Sequence, residues 1–259
     1  MTKEITDSLP MATECPAGCW SCQNPVQKAF RTRFAPVLYR RISLPFRLAF
    51  KWIAFLRSKP PQRLGQDPSD TYLGAHTQDY FKDRWLYGYH RVFDLTRNFH
   101  PITNPASLKV LSLGPRTEIE LYYLWLFCSF AWKNIVGVDL VSTSPKIKLG
   151  DMSIRLPFDN DSFDVIVASH CLEKSRDPHR TRDEIQRVTK PGARVLVCGN
   201  RAPEGTRSAF PYRGHEVPVH FFRSGAYGLI ELYQLHLEEI EYMNARSPHG
   251  FEIIFRVNK

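Results

Sequence analysis

The chain has 259 residues, of which 43% are hydrophobic and 24% charged, values that exclude a mostly disordered or collagen-like protein and suit one α/β domain with an appendage. No run of about 18 uncharged apolar residues occurs, which argues against a conventional membrane-spanning helix. The first residues lack the apolar core of a secretory signal, and six cysteines are too few for a disulfide scaffold, so we expect a cytoplasmic, reducing location.

The net charge of +9 is concentrated near the N-terminus. Between Cys15 and Gln66 there are ten Lys or Arg residues and no Asp or Glu, which leaves about −1 for the rest of the chain. The sequence therefore predicts a nearly neutral globular body with a basic N-terminal segment. This distribution argues against a nucleic-acid-binding domain, because such domains usually carry the charge on the folded body.

Three cysteines, Cys15, Cys19 and Cys22, lie close together in the polar segment 1–24 with C-x3-C-x2-C spacing. This spacing is found in enzymes that bind an iron–sulfur cluster, and three thiols with a fourth ligand can hold zinc. No histidine nearby completes a zinc site. Free thiols on an N-terminal tail are the alternative, and we assign no metal ligands.

Residues 25–59 are basic and apolar, and Pro36 and Pro45 divide them into short predicted helices. The last of these repeats its apolar residues at helical spacing, at Phe46, Ala49, Phe50, Ile53 and Leu56. Such a helix can lie on an anionic membrane surface or pack against the body, and RNA binding is a third reading. Residues 60–75 are rich in turn-forming residues, so we place a domain boundary between 1–75 and 76–259.

From Lys109 the sequence alternates between apolar strand patterns and helical patterns. The predicted strands read KVLSLG, NIVGVDL, FDVIVASH and ARVLVCGN, with a short third strand within the stretch after NIVGVDL that includes LGDM. The predicted helices read TEIELYYLWLFCSF, DPHRTRDEIQRVTK and GAYGLIELYQ. Asp177 is placed to cap the second helix, and Gly192 lies just beyond its end. HLEEIEYM and FEIIFRV predict a closing hairpin. The pattern predicts a three-layer α/β/α fold, with a mostly parallel seven-stranded sheet and an antiparallel edge.

In a parallel sheet, ligands bind beyond the carboxyl ends of the strands, where the strand order reverses. Gly114 follows the first of these strands and lets the backbone approach a ligand closely. Asp139 ends the second strand, where a carboxylate can accept hydrogen bonds from a ribose diol. Asp151 and Met152 follow the third strand, where Asp151 can accept a hydrogen bond from the exocyclic amine of a nucleobase and Met152 can pack on its aromatic ring.

Residues 105–257 resemble the class I S-adenosylmethionine-dependent methyltransferases of the small-molecule type, called methyltransferase type 11-like. The portion that carries the resemblance is GDMSIRLPFDNDSFDVIVASHCLEKSRDPHRTRDEIQRVTKPGARVLV. The resemblance implies a Rossmann-like fold and S-adenosylmethionine as cofactor. It also implies that Asp139 binds the ribose, Asp151 and Met152 the adenine, and Gly114 the methionine end. We add Ser169, at the end of the fourth strand, to these cofactor contacts.

The first motif, GPRTE, departs from the pattern of this family. Ser112 stands where the family has an acid, and Arg116 and Glu118 stand where second and third glycines are expected. In one reading, Arg116 pairs with the cofactor carboxylate and Glu118 with its ammonium. In the other, these side chains block the site, and the protein is a catalytically inactive, methyltransferase-like binding protein.

Methyl transfer to a hydroxyl requires alignment of the acceptor and removal of a proton. His170 and Glu173, after the fourth strand, are the candidate bases. The long insertion after the fifth strand supplies candidate acceptor contacts at Arg201, His215 and His220. The sequence thus predicts a methyltransferase that acts on an oxygen of a small-molecule, glycan or lipid-linked acceptor, with association with a membrane through residues 25–59. An iron–sulfur or zinc protein is the remaining alternative, and the oligomeric state is open.

Overall fold

The computed structural model describes most of the body and a few residues of the N-terminal segment. The described residues are 49, 52–53, 56–57, 59, 62–64, 104–115, 118–142, 144–199, 209–212, 215–218, 226–234, 236, 240–244 and 251–259. In chain order the strands are β1 (Gln62–Arg63), β2 (Val110–Leu113), β3 (Ile135–Asp139), β4 (Val141–Ser142), β5 (Ile147–Leu149), β6 (Phe163–Ser169), β7 (Thr189–Gly199), β8 (Ala209–Tyr212), β9 (His215–Pro218), β10 (Ile240–Asn244) and β11 (Phe251–Arg256). The α-helices of the body are α1 (Glu118–Cys128), α2 (Pro178–Val188) and α3 (Ala226–Tyr233).

Seven strands form the central sheet in the order β10-β11-β7-β6-β2-β3-β5. Strands β2, β3, β5, β6 and β7 pair in parallel, whereas β11 runs antiparallel to both β7 and β10. The expected mostly parallel sheet with an antiparallel edge is confirmed, as is the closing hairpin. The chain leaves β2 toward β3 and β5 on one side, and β6 and β7 lie on the other. The strand order therefore reverses at β2.

Helices cover both faces of this sheet, because alternate residues of each strand point to opposite faces. On one face, α1 packs over β2, β3 and β6 through a buried cluster that includes Leu121, Leu124 and Phe130. On the other face, α2 and α3 pack through a second cluster that includes Leu111, Ile185 and Leu229. Helix α1 is apolar on almost every side, which matches its burial. The three-layer α/β/α architecture follows from these two clusters.

Helix α2 begins where the sequence predicts, after the capping residue Asp177. The Asp177 carboxylate accepts a hydrogen bond from the backbone N–H of Arg180 at 3.0 Å, and Pro178 is the first helical residue. The prediction for Gly192 is wrong, because the helix ends at Val188 and β7 begins at the next residue. Gly192 instead lies inside β7 with a left-handed φ of 74°.

Two short antiparallel pairs lie in regions that the sequence assigned to loops. In the predicted linker, β1 pairs with β4, and the N–H of Leu64 donates to the carbonyl of Leu140 at 2.9 Å. In the insertion after β7, β8 pairs with β9 as a hairpin. The linker therefore contributes a strand to the body at the loop that follows β3.

The three cysteines of the body, Cys128, Cys171 and Cys198, are buried and form no disulfide bond. In the part of the chain that the structure describes, no helix is long and apolar enough to cross a bilayer. Cys15, Cys19 and Cys22 lie outside the described residues.

Candidate functional site

Gly114 forms the turn at which the strand order reverses. It has a left-handed φ of 65°, and its N–H donates to the carbonyl of Val138 on β3 at 2.9 Å. A Cβ at this position would lie only 2.9 Å from the Cβ of Cys171, which follows β6. The turn needs glycine both for its backbone conformation and for the close approach of the two segments. The ends of β2, β3 and β6 therefore meet around Gly114.

Asp139 ends β3, next to this turn, and is half-buried. Its carboxylate oxygen Oδ1 accepts a hydrogen bond from the N–H of Val141 at 3.3 Å. Its carbonyl accepts from the N–H of Gly150 at 3.0 Å, which fixes the end of β5 beside it. The predicted ribose-binding acid thus lies at a strand tip adjoining Gly114, where a diol could approach it.

Asp151 and Met152 follow β5 in a tight turn. The Asp151 oxygen Oδ1 accepts from the N–H of Ser153 at 2.8 Å, and Met152 is half-buried against the second core cluster. The turn is held in place by buried hydroxyls, because Ser153 contacts Ser175 at 3.2 Å and Ser175 contacts Thr181 at 2.7 Å. The structure therefore places both predicted adenine contacts in one constrained turn beside the end of β3.

Glu120 is a buried carboxylate that the sequence analysis missed. It is 4% exposed on the first turn of α1, and it accepts a hydrogen bond from the hydroxyl of Ser112 on β2. Burial is the main cause that raises the pKa of Glu120 to about 7; the Ser112 hydroxyl acts in the lowering direction, and the charge of Asp139 in the raising one. The sequence does contain an indication of this contact. Ser112 is a single hydroxyl within an apolar strand, and a buried hydroxyl needs a hydrogen-bond partner.

Glu118 is bound within the protein rather than open to a ligand. It is 3% exposed, and its carboxylate accepts from the hydroxyls of Tyr122 and Ser144 and from Arg57 Nε at 3.1 Å. The predicted contact between Glu118 and the cofactor ammonium stays a prediction, and the observed partners compete with it. Arg57 belongs to the basic N-terminal segment, so this ion pair joins that segment to the first turn of α1.

His170 follows β6 directly and lies beside the Gly114 turn through its neighbour Cys171. Its backbone is left-handed, with φ 53°, and its N–H donates to the carbonyl of Cys198 at 2.8 Å. Its ring atom Nδ1 lies 3.7 Å from Oε1 of Glu173 and has no hydrogen-bond partner. Non-glycine residues rarely adopt this backbone conformation, and they are concentrated at functional sites. The two predicted bases therefore face each other at the carboxyl end of β6.

Ser169, the last residue of β6, lies in register with Cys198 of β7. Its hydroxyl oxygen is 3.3 Å from the Cys198 thiol, which can donate to it. The side chain is thus at the predicted strand tip, with a contact to the neighbouring strand.

A salt bridge on α2 holds residues 156–158, the LPF sequence within the portion that resembles the methyltransferase family. Arg187 donates to both carboxylate oxygens of Glu184 at 2.8 and 2.7 Å, and to the carbonyls of Leu156 and Phe158 at 3.0 and 2.8 Å. Glu184 also accepts from the N–H of Leu156 at 2.7 Å. This clamp fixes the chain between Asp151 and β6.

Several predicted residues lie outside the described part of the chain: Arg116, Arg201 and His220. His215 lies in β9, where only its backbone is described. Among the described residues, no group of three or more His, Cys, Asp or Glu side chains could hold a metal ion.

A pocket of about 540 Å³ lies away from these strand tips, near the amino ends of β2 and β6. It is lined by residues that include Lys109, Lys148, Arg155 and Phe163. Because ligands of such sheets bind at the carboxyl ends, this pocket is not the candidate site.

Residues 113–197 match the family model described as a methyltransferase domain. The match spans every described site residue from Gly114 to Glu184. The chain is 33% identical over 89 residues to the demethylmenaquinone methyltransferase of Clavibacter sepedonicus, covering 34% of each chain. It is 30% identical over 110 residues to that of Mycobacterium tuberculosis, covering 40% of this chain and 46% of the relative. The chain thus spans between a third and a half of the length of these relatives.

Two solved structures share the fold. One is a complex between the Haloferax volcanii Trm112 methyltransferase activator and a methyltransferase, with TM-score 0.53, 18% identity, and coverage of 76% of this chain and 100% of the matched chain. The other is the 1,6-didemethyltoxoflavin-N1-methyltransferase of Burkholderia thailandensis, with S-adenosylhomocysteine bound, TM-score 0.53, 14% identity, and coverage of 77% and 94%. The chain therefore has the Rossmann-like fold of methyltransferases.

Proposed function

We propose that the protein is an S-adenosylmethionine-dependent methyltransferase that methylates an oxygen of a small-molecule or lipid-linked acceptor. The methyltransferase-domain match over 113–197 supports this assignment. The observation that carries it is the turn at Gly114, which lies where the strand order reverses and contacts the strand that ends in Asp139.

The residues at the strand tips suit an adenosyl ligand. Asp139 can accept hydrogen bonds from a ribose diol, and Met152 offers an apolar surface for the adenine ring, with Asp151 beside it. The open backbone at Gly114 suits the amino-acid end of the cofactor. The Asp139 carboxylate supplies negative potential near this turn, which favours the positive charges of an ammonium and a sulfonium.

S-adenosylmethionine supplies a methyl group on a sulfonium, so the protein has to bind, orient and deprotonate the acceptor. His170 is the proposed base, because it lies next to the Gly114 turn and keeps one ring nitrogen toward Glu173. When Nδ1 carries the proton, Nε2 has a lone pair that can take the proton of an acceptor hydroxyl. Glu173 is the proposed positioning residue, because its Oε1 lies 3.7 Å from Nδ1 and its charge would stabilise the imidazolium.

The acceptor class is supported by the comparisons and by the N-terminal segment. The curated relatives are named for methylation of demethylmenaquinone, and one structural neighbour is named for methylation of the N1 nitrogen of a small heterocycle. These names support a small-molecule acceptor, and the choice of oxygen is our own proposal. An acceptor of the first kind fits a protein whose basic, apolar segment is joined to the site through Arg57 and Glu118.

Calorimetric titration with S-adenosylmethionine and S-adenosylhomocysteine tests the proposal. We expect saturable binding of both, and a loss of about ten- to a hundredfold in affinity for Asp139→Asn, because a carboxylate hydrogen bond is removed. Asp183→Asn is the matched control, since Asp183 is an exposed acid on α2. Equal affinities for both variants and the parent would contradict the assignment of Asp139.

A second candidate function is that of a methyltransferase-like protein without activity. It is favoured by Glu118, whose carboxylate is satisfied by Arg57, Tyr122 and Ser144 rather than open to a ligand. The absence of saturable heat with either nucleoside would establish this alternative and overturn the enzyme assignment.

A further inference from the structure

An apolar stripe runs along the outside of the helical segment around residue 53. Ala49, Trp52, Ile53 and Leu56 are spaced i, i+3, i+4 and i+7, so they share one helix face. All four are exposed, with Trp52 at 63%, Ile53 at 43% and Leu56 at 76%. A helix that used this face to pack on the body would bury it, whereas Trp52, Ile53 and Leu56 keep between 43% and 76% of their surface exposed.

The charged residues on either side of this stripe in the sequence are all basic. The ten Lys or Arg residues between Cys15 and Gln66, with no acid among them, surround the stripe in sequence. Trp and aliphatic side chains on one face, accompanied by cations, are the composition of a helix that lies in a membrane interface. The cations can pair with anionic lipid headgroups, whereas an apolar patch on a neutral protein would offer them no partner. An anionic lipid surface is therefore the better match for this segment.

The segment is fastened to the body at two points next to the candidate site. Arg57, one residue beyond the stripe, donates Nε to Glu118 at 3.1 Å. A few residues further on, β1 pairs with β4, directly after Asp139. Both attachments involve parts of the body that adjoin the Gly114 turn or the end of β3. A surface that met the stripe would therefore lie near the carboxyl ends of the strands.

We propose that the exposed stripe Ala49, Trp52, Ile53 and Leu56 docks on an anionic lipid surface, and that Arg57 anchors this docking segment to the body through Glu118. The docking goes beyond the proposed methyl transfer and does not depend on it. If the proposed function also holds, docking brings the site to an acceptor that resides in the membrane.

Co-sedimentation of the full chain with vesicles tests the proposal. The probes are vesicles of phosphatidylcholine alone and of phosphatidylcholine with about a quarter phosphatidylglycerol. We expect binding to the anionic vesicles at least tenfold stronger than to the neutral ones, falling when the salt is raised from about 0.1 M to about 1 M. Equal binding to the two kinds of vesicle, or no binding, would overturn it.

Substitutions in the stripe test whether it is the surface that binds the vesicles. Trp52→Ser combined with Leu56→Ser should weaken binding to anionic vesicles at least tenfold, whereas the control Leu126→Ser, at an exposed position of α1, should leave it unchanged. Unchanged far-ultraviolet circular dichroism and urea midpoints verify that these exposed substitutions leave the fold intact. If the double variant binds as well as the parent, the stripe is not the docking surface.

A fluorescence measurement distinguishes lipid from a second copy of the chain. Anionic vesicles should shift the tryptophan emission to the blue, and most of the shift should disappear in Trp52→Phe while the vesicle binding remains. A concentration-dependent dimer without lipid, lost in the double variant and accompanied by no vesicle-induced shift, would instead assign the stripe to self-association and overturn the proposal.

Discussion

The hydroxyl of Ser112 on β2 donates a hydrogen bond to the carboxylate of Glu120 on the first turn of α1, and both residues are buried. The family resemblance implies an acid at the position of Ser112, and in this structure the helix supplies a carboxylate that contacts the Ser112 hydroxyl. This carboxylate is held in an environment that favours its protonated form, because burial and the charge of Asp139 both oppose ionisation.

The raised pKa of Glu120 predicts a stability that falls with rising pH. The folded pKa is about 7 and the ordinary value is 4.5, so between these two the folded state binds a proton that the unfolded state has lost. The free energy of unfolding should therefore fall by about 3 kcal/mol from pH 4.5 to 7 through this group and change no further above pH 7. Glu120→Gln should remove this component, which urea unfolding at several pH values can measure. Parallel pH profiles of the parent and Glu120→Gln would contradict it.

Replacement of Gly114 by alanine should damage the site more than the same replacement at Gly192. Both glycines have a left-handed φ, at 65° and 74°, but a Cβ meets Cys171 at Gly114 and nothing within 4 Å at Gly192. Gly192→Ala should cost about 1–2 kcal/mol of unfolding free energy from the backbone alone. Gly114→Ala should cost about 1–3 kcal/mol more and should weaken S-adenosylhomocysteine binding. Equal losses of stability at the two positions would show that the contact with Cys171 is relieved easily.

Removal of the His170 side chain should affect turnover rather than cofactor binding. His170→Ala should lower kcat about 10²- to 10⁴-fold with a physiological acceptor, because the proposed general base is then absent. Glu173→Gln should lower kcat and alter its dependence on pH, since Glu173 acts on the ring through Nδ1. His179→Ala, at an exposed position of α2, is the control. An unchanged pH profile of kcat in Glu173→Gln would assign Glu173 a structural role only.

The clamp between Arg187 and Glu184 should contribute measurably to stability. Arg187→Ala removes two bonds to Glu184 and two to backbone carbonyls, and we expect a loss of about 2 kcal/mol, discounted because the pair is partly exposed. Arg182→Ala, which breaks a surface pair with Asp183 and an exposed hydrogen bond to Gln234, should cost under about 1 kcal/mol. Urea unfolding at pH 7 provides the comparison, and equal losses for the two variants would contradict the clamp.

The same clamp has a pH dependence of the opposite sign to that of Glu120. Hydrogen bonds from Arg187 lower the pKa of Glu184 below its ordinary value of 4.5. Its contribution to stability is therefore complete above the ordinary value and is lost as the pH falls through the folded value. In Arg187→Ala, the acid limb of the stability profile should become shallower, which unfolding between about pH 3 and 6 can test. An unaltered acid limb would contradict this assignment.

The sequence by itself determined the order of strands and helices, the closing hairpin and the cap at Asp177. These features depend on hydrophobic periodicity and on turn residues a few positions apart, and both can be read along the chain. It also determined that Gly114, Asp139, Asp151 and His170 end neighbouring strands, because parallel strands present their carboxyl ends on one edge. It did not reveal the pair of β1 and β4 or the hairpin of β8 and β9.

Only the tertiary structure decided which charged groups meet. Glu120 is recognised as a site carboxylate by its contact with Ser112, and Glu118 is bound to Arg57, a residue 61 positions earlier in the chain. The exposure of the Trp52 face is likewise visible only in the structure. Such pairings between distant residues depend on the relative placement of packed elements, and local periodicity carries no information about that placement.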